Sequence, residues 1–243
     1  MQYWGLTDPG CVREQNQDTY QIEQLGRNAL LCVVCDGMGG AKSGNVASSL
    51  AVEAFVQEVK RIWKSDMDME KTECVLRDAV KAANFTVYDR AQQSEDYAGM
   101  GTTLVAALIH AKTITFVNVG DSRAYYIAED GISQVTVDHS LVQMMIDRGE
   151  LSKERAKNYP GKNLITRAIG TEPSVSCDVF RKKAERGACV LLCTDGLSNL
   201  IDEQEILFEI TYGEEKEKCC ARLLDIAKNR GAPDNVTSVL VCI

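Results

Sequence analysis

Short apolar runs separated by turn residues make up the first third of the chain, and this pattern is typical of β-strands. It predicts strands at residues 2–8, 19–23 and 29–35. The last of these runs is apolar at every position, which favours a strand that is buried on both faces. Later runs predict further strands at residues 102–110, 113–119, 123–127, 175–180, 188–193 and 236–242.

Two long segments after the first strands carry apolar residues at helical spacing. They span residues 43–63, with Val46 and Leu50 on one face, and residues 70–93. Four more helices are expected at residues 140–149, 152–158, 202–211 and 214–229. Because strands and helix pairs follow one another in blocks, the order favours an α+β fold with helices packed on antiparallel sheets. No repeat or linker divides the sequence, so residues 1–243 are expected to form a single domain.

The composition is that of an ordinary globular chain, with 45% apolar and 26% charged residues and a net charge of −8. No block of lysine and arginine is present, which argues against nucleic acid and anionic membranes as partners. The sequence shows no secretory signal and no apolar run near the roughly 20 residues of a membrane helix. Most of its ten cysteines, such as Cys32 and Cys35, lie within apolar runs and are interpreted as reduced, buried side chains. A cytoplasmic protein is expected.

Aspartates stand where apolar strands end. Asp36, Asp121 and Asp195 each lie beside a glycine at such a position, and Asp18 and Asp234 lie next to or near asparagines in loops. A single Asp-Gly is most often a turn. Three at the ends of buried strands are harder to explain that way, because a buried carboxylate is costly unless it is paired or binds a cation. Oxygen ligands without His or Cys suit Mg²⁺ or Mn²⁺ better than zinc.

Other catalytic patterns are absent from the sequence. There is no G-x-S-x-G, and no cysteine is followed six residues later by arginine, which excludes the usual serine-hydrolase and cysteine-phosphatase arrangements. Lys42 lies between a strand and a helix as in a P-loop, but alanine precedes it where glycine is required. The sequence therefore predicts none of these three classes of enzyme.

Seven short motifs occur in a fixed order along nearly the whole chain. They are REQNQD at 13–18, DGMGG at 36–40, GTT at 101–103, GDSRAY at 120–125, DHS at 138–140, TDGL at 194–197 and DNVT at 234–237. Together they resemble the metal-dependent protein phosphatases, the type 2C serine/threonine phosphatases, in their compact bacterial form. The resemblance implies an α-β-β-α sandwich, in which two antiparallel sheets are flanked by antiparallel helix pairs. It also implies a mobile flap subdomain at about residues 141–174.

The resemblance assigns the metal site to particular residues. Asp36 is similar to the carboxylate that bridges two metals, and Gly37 to the residue whose backbone carbonyl binds the first of them. Asp195 and Asp234 match ligands of the second metal. Asp18 matches an acid that either binds these metals directly or lies next to the residues that bind them. Two Mn²⁺ or Mg²⁺ ions are therefore expected, and Asp36 and Asp18 are expected to be catalytic. Two bridged divalent cations activate a water and stabilise the transferring phosphoryl group.

Two further residues match the family pattern, and one position differs from it. Asp121 matches the ligand of a third, weaker metal, although an ion pair with a nearby arginine is an alternative for this acid. Arg13 matches the catalytic arginine that binds the substrate phosphate, for which the planar guanidinium is well suited. Met38 stands where many eukaryotic relatives have a histidine, and a thioether cannot protonate a leaving group. His139 is expected to have a capping or packing role, so the general acid is unassigned.

The function implied is hydrolysis of phosphoserine and phosphothreonine on proteins, in opposition to bacterial serine/threonine kinases. The expected partners are phosphorylated proteins and a kinase counterpart, and the chain is expected to be a monomer. One alternative is a non-catalytic pseudophosphatase that binds or regulates a partner. Another is a hydrolase of small phosphate esters that uses the same site.

Overall fold

The computed structural model describes residues 1–39, 43–156 and 159–243. Its strands are β1 (Gln2–Asp8), β2 (Asp18–Leu25), β3 (Ala29–Met38), β4 (Gly101–Thr102), β5 (Leu104–His110), β6 (Thr113–Val119), β7 (Arg123–Ala128), β8 (Gly131–Gln134), β9 (Asp178–Lys183), β10 (Cys189–Cys193) and β11 (Val236–Cys242). Its helices are α1 (Gly44–Ile62), α2 (Met69–Gln92), α3 (Leu141–Asp147), α4 (Lys153–Ala156), α5 (Asp195–Ser198), α6 (Glu203–Tyr212) and α7 (Cys219–Asn229). The last glycine of the DGMGG motif, Lys42 and the final two positions of the helix expected at 152–158 lie outside the described residues.

The strands form two antiparallel sheets. One has the order β1-β11-β10-β7-β8, and the other has the order β2-β3-β5-β6-β9, with β4 paired to the end of β3. The pairing of β1 with β11 joins the beginning and the end of the sequence. This arrangement confirms the predicted α+β class with two antiparallel sheets.

The core has three apolar layers. A central layer is formed by side chains from both sheets, including Val34 of β3 and Leu192 of β10. Helices α1 and α2 cover the outer face of the β2-β3-β5-β6-β9 sheet, and α6 and α7 cover the outer face of the other sheet. The result is the α-β-β-α sandwich that the resemblance implied.

Strand β3 shows why an unbroken apolar run forms a strand here. Leu31 and Val33 pack towards the helix pair α1/α2, whereas Leu30 and Val34 pack towards the opposing sheet. Successive side chains of a strand point to opposite faces, so burial of both faces requires apolar residues throughout. The same alternation places Cys32 and Cys35 on opposite faces, both buried.

Several predicted boundaries differ from the structure, and two of the differences have a clear physical reason. The helix expected at residues 214–229 begins only at Cys219, because Glu215 has a φ of 55°, in the left-handed region that interrupts a right-handed helix. The strand expected at residues 175–180 is found three positions later, at Asp178–Lys183, where it pairs with β6. Pairing with a neighbouring strand, which a local pattern does not encode, set this second boundary.

No helix within the described residues combines the length and the apolar character that are needed to cross a membrane.

Candidate active site

Aspartates from distant parts of the sequence meet at one edge of the sandwich. Asp18 begins β2 and is paired in register with Asp36 near the end of β3. Asp195 directly follows β10 and Asp234 shortly precedes β11. Since β10 and β11 are antiparallel neighbours, the end of one lies beside the start of the other. Asp121 lies in the turn between β6 and β7.

Four of these acids line a cleft of about 530 Å³. Its lining residues are Arg13, Glu14, Gln15, Gln17, Asp36, Gly37, Met38, Gly39, Thr103, Asp121, Asn163, Ile165, Asp195 and Asp234. Asp18 is not among them and is only 7% exposed. The structure therefore brings together every residue that the resemblance assigned to the site, with Asp18 buried next to the cleft rather than open to it.

Asp18 has an incomplete set of hydrogen bonds. Its Oδ2 accepts hydrogen bonds from the hydroxyls of Thr194 (2.9 Å) and Thr237 (2.7 Å). Its Oδ1 is buried and has no hydrogen-bond partner among the described residues. Burial raises the pKa of Asp18 to about 7, and the nearby Asp195 and Asp234 contribute to the increase. A buried carboxylate oxygen without a donor is costly, and a cation would compensate it.

The other acids repel one another. Burial raises the pKa of Asp36 well above its usual value, and four neighbouring aspartates raise it further. Burial also raises the pKa of Asp121 to about 7, with added repulsion from Asp195 and Asp138. The pKa of Asp195 is raised by burial and by Asp234. Carboxylates crowded together out of water favour either protonation or a bound cation.

The backbone around Asp36 is held tightly. Its N–H donates to the hydroxyl of Thr103 (2.9 Å), and its carbonyl accepts from the hydroxyl of Thr102 (2.8 Å). At the next residue, Gly37, a Cβ atom would lie 2.1 Å from the carbonyl oxygen of Gly44. Only glycine fits such a close approach of two backbone segments. The end of β3 is therefore a rigid support for the Asp36 carboxylate.

Arg13 also lines the cleft, next to Asp234. Its Nη2 donates to Oδ2 of Asp234 at 2.9 Å, and the two side chains are 54% and 34% exposed. A guanidinium beside the acids can bind an anion such as a phosphate group that enters the cleft.

Arg123 pairs with Asp138. Its Nε donates to both carboxylate oxygens of Asp138 (3.0 and 3.1 Å), and its Nη2 donates to Oδ2 (2.7 Å). Its Nη1 donates to the hydroxyl of Tyr125. The alternative in which an arginine forms an ion pair with Asp121 is therefore not supported for Arg123, whose hydrogen bonds go to Asp138 and Tyr125.

His139 holds the turn that carries Asp121. Its Nδ1 accepts a hydrogen bond from the N–H of Gly120 (3.1 Å), and its Nε2 lies 3.2 Å from Oδ2 of Asp178 and 3.1 Å from Nη1 of Arg167. Burial is the main cause of its lowered pKa. The next residue, Ser140, caps α3 by accepting from the N–H of Gln143. His139 is 6% exposed and does not line the cleft. These contacts agree with the packing role expected from the sequence.

Sequence reasoning missed several contributors to this site. Thr194 and Thr237, which orient Asp18, belong to the TDGL and DNVT motifs but had no role assigned. Asn163 and Ile165, from the segment expected to be the flap, also line the cleft. Among the described residues, no three His, Cys, Asp or Glu side chains already have the spacing of a closed metal site.

Comparison with known proteins identifies the family. The family model described as "Protein phosphatase 2C" matches residues 12–225. The serine/threonine phosphatase stp of Listeria welshimeri is 35% identical over 238 residues, which cover 97% of this chain and 93% of that protein.

Solved structures agree with this result. The serine/threonine phosphatase Stp1 from Staphylococcus aureus has a TM-score of 0.93 and 36% identity, over 99% of this chain and 94% of that one. The catalytic domain of the phosphatase PstP, solved in complex with two manganese ions, has a TM-score of 0.84 and 32% identity, over 98% and 96% of the two chains. Since the family model, the sequence relatives and the solved structures all agree, this chain belongs to the protein phosphatase 2C family of serine/threonine phosphatases.

Proposed function

We propose that this chain catalyses the metal-dependent hydrolysis of phosphoserine and phosphothreonine on proteins. The observation that carries the proposal is the acidic cleft, in which four aspartates face one cavity and Asp18 keeps a buried oxygen without a partner. The donor set consists of carboxylate oxygens, which suits Mn²⁺ or Mg²⁺, and the related PstP domain was solved with two manganese ions. When bound, such ions would acidify a water and neutralise charge on the phosphoryl group.

The proposed ligands follow from positions at the sheet edge. Asp36, near the centre of the acids and on a rigid backbone, would bridge two ions, and the carbonyl of Gly37 would bind the first. Asp195 and Asp234, brought together by the pairing of β10 with β11, would bind the second. Asp18 would direct its free oxygen towards the same ions while Thr194 and Thr237 hold its other oxygen.

Two other residues would act on the substrate side. Arg13 would bind and orient the substrate phosphate, because its guanidinium is exposed at the cleft beside Asp234. Asp121 would hold a third, weaker ion, supported by its raised pKa and its place in the cleft wall. Met38, which also lines the cleft, has no proton to donate, and both nitrogens of His139 are already engaged.

We also propose that residues 1–243 form one catalytic domain with a flap at about residues 141–174. The pairing of β1 with β11 supports the first part. The flap is supported by the β-bridge between Ser140 and Ile165, which brings the segment back to its start, and by Asn163 and Ile165 in the cleft wall. A surface segment that lines a catalytic cleft can contribute to substrate selection.

We further propose that the protein is a cytoplasmic monomer and that a serine/threonine kinase is its counterpart. Each of the ten cysteines is a free thiol, in agreement with a reducing compartment. The kinase follows from chemistry, since the phosphorylated hydroxyl must first be made by phosphoryl transfer. Sedimentation equilibrium tests the monomer.

The test is phosphate release from a phosphothreonine peptide, measured with Mn²⁺, without it, and after chelation and readdition. Metal-dependent release that the chelator reverses is expected. A folded protein that binds the peptide but releases no phosphate in Mn²⁺ or Mg²⁺ would favour the pseudophosphatase. A second substrate, para-nitrophenyl phosphate, separates the remaining alternative, because turnover of this ester without turnover of the peptide would indicate a hydrolase of small phosphate esters.

A further inference from the structure

Two cysteines face each other at the end of β10 that is remote from the acidic cleft. Cys189 of β10 is paired in register with Cys242 of β11, and their Sγ atoms are 2.9 Å apart, within S–H···S hydrogen-bonding distance. The N–H of Ile243 donates to the carbonyl of Ala188 (2.9 Å), so the adjacent 189–242 pair occupies a non-hydrogen-bonded position of the ladder. Side chains approach most closely at such positions.

We propose that Cys189 and Cys242 form a dithiol pair that hydrogen peroxide oxidises to an intrachain disulfide. The Cα separation of directly opposed residues in an antiparallel ladder lies in the range that a disulfide spans. Both sulfurs are therefore close enough to bond without displacement of the strands. The site does not depend on the phosphatase chemistry proposed above.

The environment makes Cys242 the sulfur that reacts first. Cys242 is partly exposed, whereas Cys189 is only 5% exposed. A hydrogen bond from Cys189 lowers the pKa of Cys242, and the charge of Lys216 acts in the same direction against the effect of burial. By contrast, burial raises the pKa of Cys193, at the other end of the same strand. A thiolate is the reactive form of cysteine, so Cys242 combines access with reactivity.

The reaction takes place in two balanced steps. The thiolate of Cys242 attacks one oxygen of hydrogen peroxide, the O–O bond breaks, and the leaving hydroxide takes a proton to become water, which leaves a sulfenic acid on Cys242. The sulfur of Cys189 then attacks the sulfenic sulfur, the S–O bond breaks, and hydroxide leaves as water with the Cys189 proton. Two thiols and one peroxide thus give one disulfide and two waters.

Peptide mapping of the peroxide-treated protein tests the proposal. The reduced chain is exposed to a small excess of hydrogen peroxide, its remaining thiols are alkylated, and it is digested with trypsin. The expected product is a cross-linked pair of peptides, residues 187–216 and 231–243, that dithiothreitol separates. As the time with peroxide increases, the fraction of Cys242 that can still be alkylated in the wild-type chain should fall faster than the same fraction of the exposed thiols Cys11 and Cys74. Equal or faster loss at those two thiols would overturn the proposal.

Three serine variants identify the sulfurs. In Cys189→Ser the cross-link should disappear, and dimedone should trap a sulfenic acid on Cys242, because no resolving thiol is left. In Cys242→Ser the cross-link should also disappear. Cys193→Ser is the matched control, since it lies on the same strand and in the same tryptic peptide as Cys189 and should keep the cross-link. A cross-link lost in Cys193→Ser and kept in Cys189→Ser would contradict the proposal.

Discussion

Asp138 and the acids of the cleft lie at the same end of the sandwich but are stabilised in different ways. Asp138 receives three hydrogen bonds from Arg123 and a fourth from Gln134 (3.0 Å), so its charge is matched within the protein. Around Asp36 the nearest charges are other aspartates, and burial together with this repulsion raises its pKa. The ion pair of Asp138 is complete as it stands, whereas among the described acids of the cleft only Asp234 has an arginine partner, the exposed Arg13.

This difference explains how one edge of a fold can be both stable and reactive. A buried acid paired with arginine supports structure, because removal of either partner leaves a costly charge. A cluster of buried acids without such partners lowers the stability of the metal-free chain and provides binding energy for cations.

Asp36→Asn should reduce kcat at least about 100-fold, because an amide oxygen cannot provide the charge needed to bridge two cations. At the same time, the metal-free variant should melt at a higher temperature than metal-free wild type near pH 8, since one repelling charge is gone. Phosphopeptide turnover and thermal unfolding in a chelator measure the two effects. Retention of more than about a tenth of the wild-type kcat would contradict the bridging role.

Arg123→Met should lower the free energy of unfolding by about 3 kcal/mol, because Asp138 would be left buried without its cation. Urea denaturation measures this change. The double variant with Asp138→Asn is the control and should recover much of the loss. If the single variant unfolded like wild type, the contrast between the paired and unpaired acids would be wrong.

Asp121→Ala should decrease kcat/KM for a phosphothreonine peptide about tenfold and affect para-nitrophenyl phosphate less, because nitrophenolate leaves with little need of a proton. The melting temperature should change little, since Arg123 pairs with Asp138 instead. Steady-state kinetics on both substrates provides the comparison. Equal losses on both substrates, together with a large fall in melting temperature, would instead indicate a structural role for Asp121.

Arg13→Ala should raise KM several-fold with little change in metal affinity, because the exposed ion pair with Asp234 adds little to stability. Arg13→Lys is the matched control. It keeps the charge but loses the bidentate hydrogen bonding, so its KM should lie between those of wild type and Arg13→Ala. Calorimetric titration with Mn²⁺ checks the metal affinity. A collapse of that affinity in Arg13→Ala would show that Arg13 mainly supports the ligand Asp234.

The smallest effect concerns pH. Asp18 and Asp121 have pKa values of about 7 in the folded chain, above the value of about 4 for an unfolded aspartate. The folded chain therefore binds more protons than the unfolded chain in this window, and the stability of the metal-free protein should fall as pH rises from about 5 to 7. Melting curves in a chelator and in Mn²⁺ test this, and bound Mn²⁺ should reduce the slope. A metal-free melting temperature that rises across this range would contradict the raised pKa values.

Local patterns predicted most of the fold and the identity of the acids. The apolar run before Asp36 indicated a buried strand, and the helical periodicity of residues 43–63 and 70–93 located α1 and α2 within a few positions. These features depend on the repeat of side chains along a strand or helix, which the sequence displays directly. The positions of aspartates at strand ends were visible for the same reason.

Contacts between distant segments depended on the tertiary structure alone. The sequence contained Thr194 and Thr237 but did not show that both hydroxyls bind one oxygen of Asp18, leaving the other free. It also did not show that Arg123 selects Asp138 rather than Asp121, although Asp121 is nearer in sequence. Such choices depend on strand register and turn geometry, because a shift of one residue turns each side chain to the other face.

The kinds of element, the acids available for chemistry and the family resemblance therefore follow from local patterns in the sequence. Which of those acids the protein neutralises, and which it leaves for a cation, depends on the tertiary structure. It alone also placed Cys189 against Cys242. The physical reason is that periodicity is a local property of the chain, whereas the pairing of charges and thiols depends on distances that exist only after the sheets have formed.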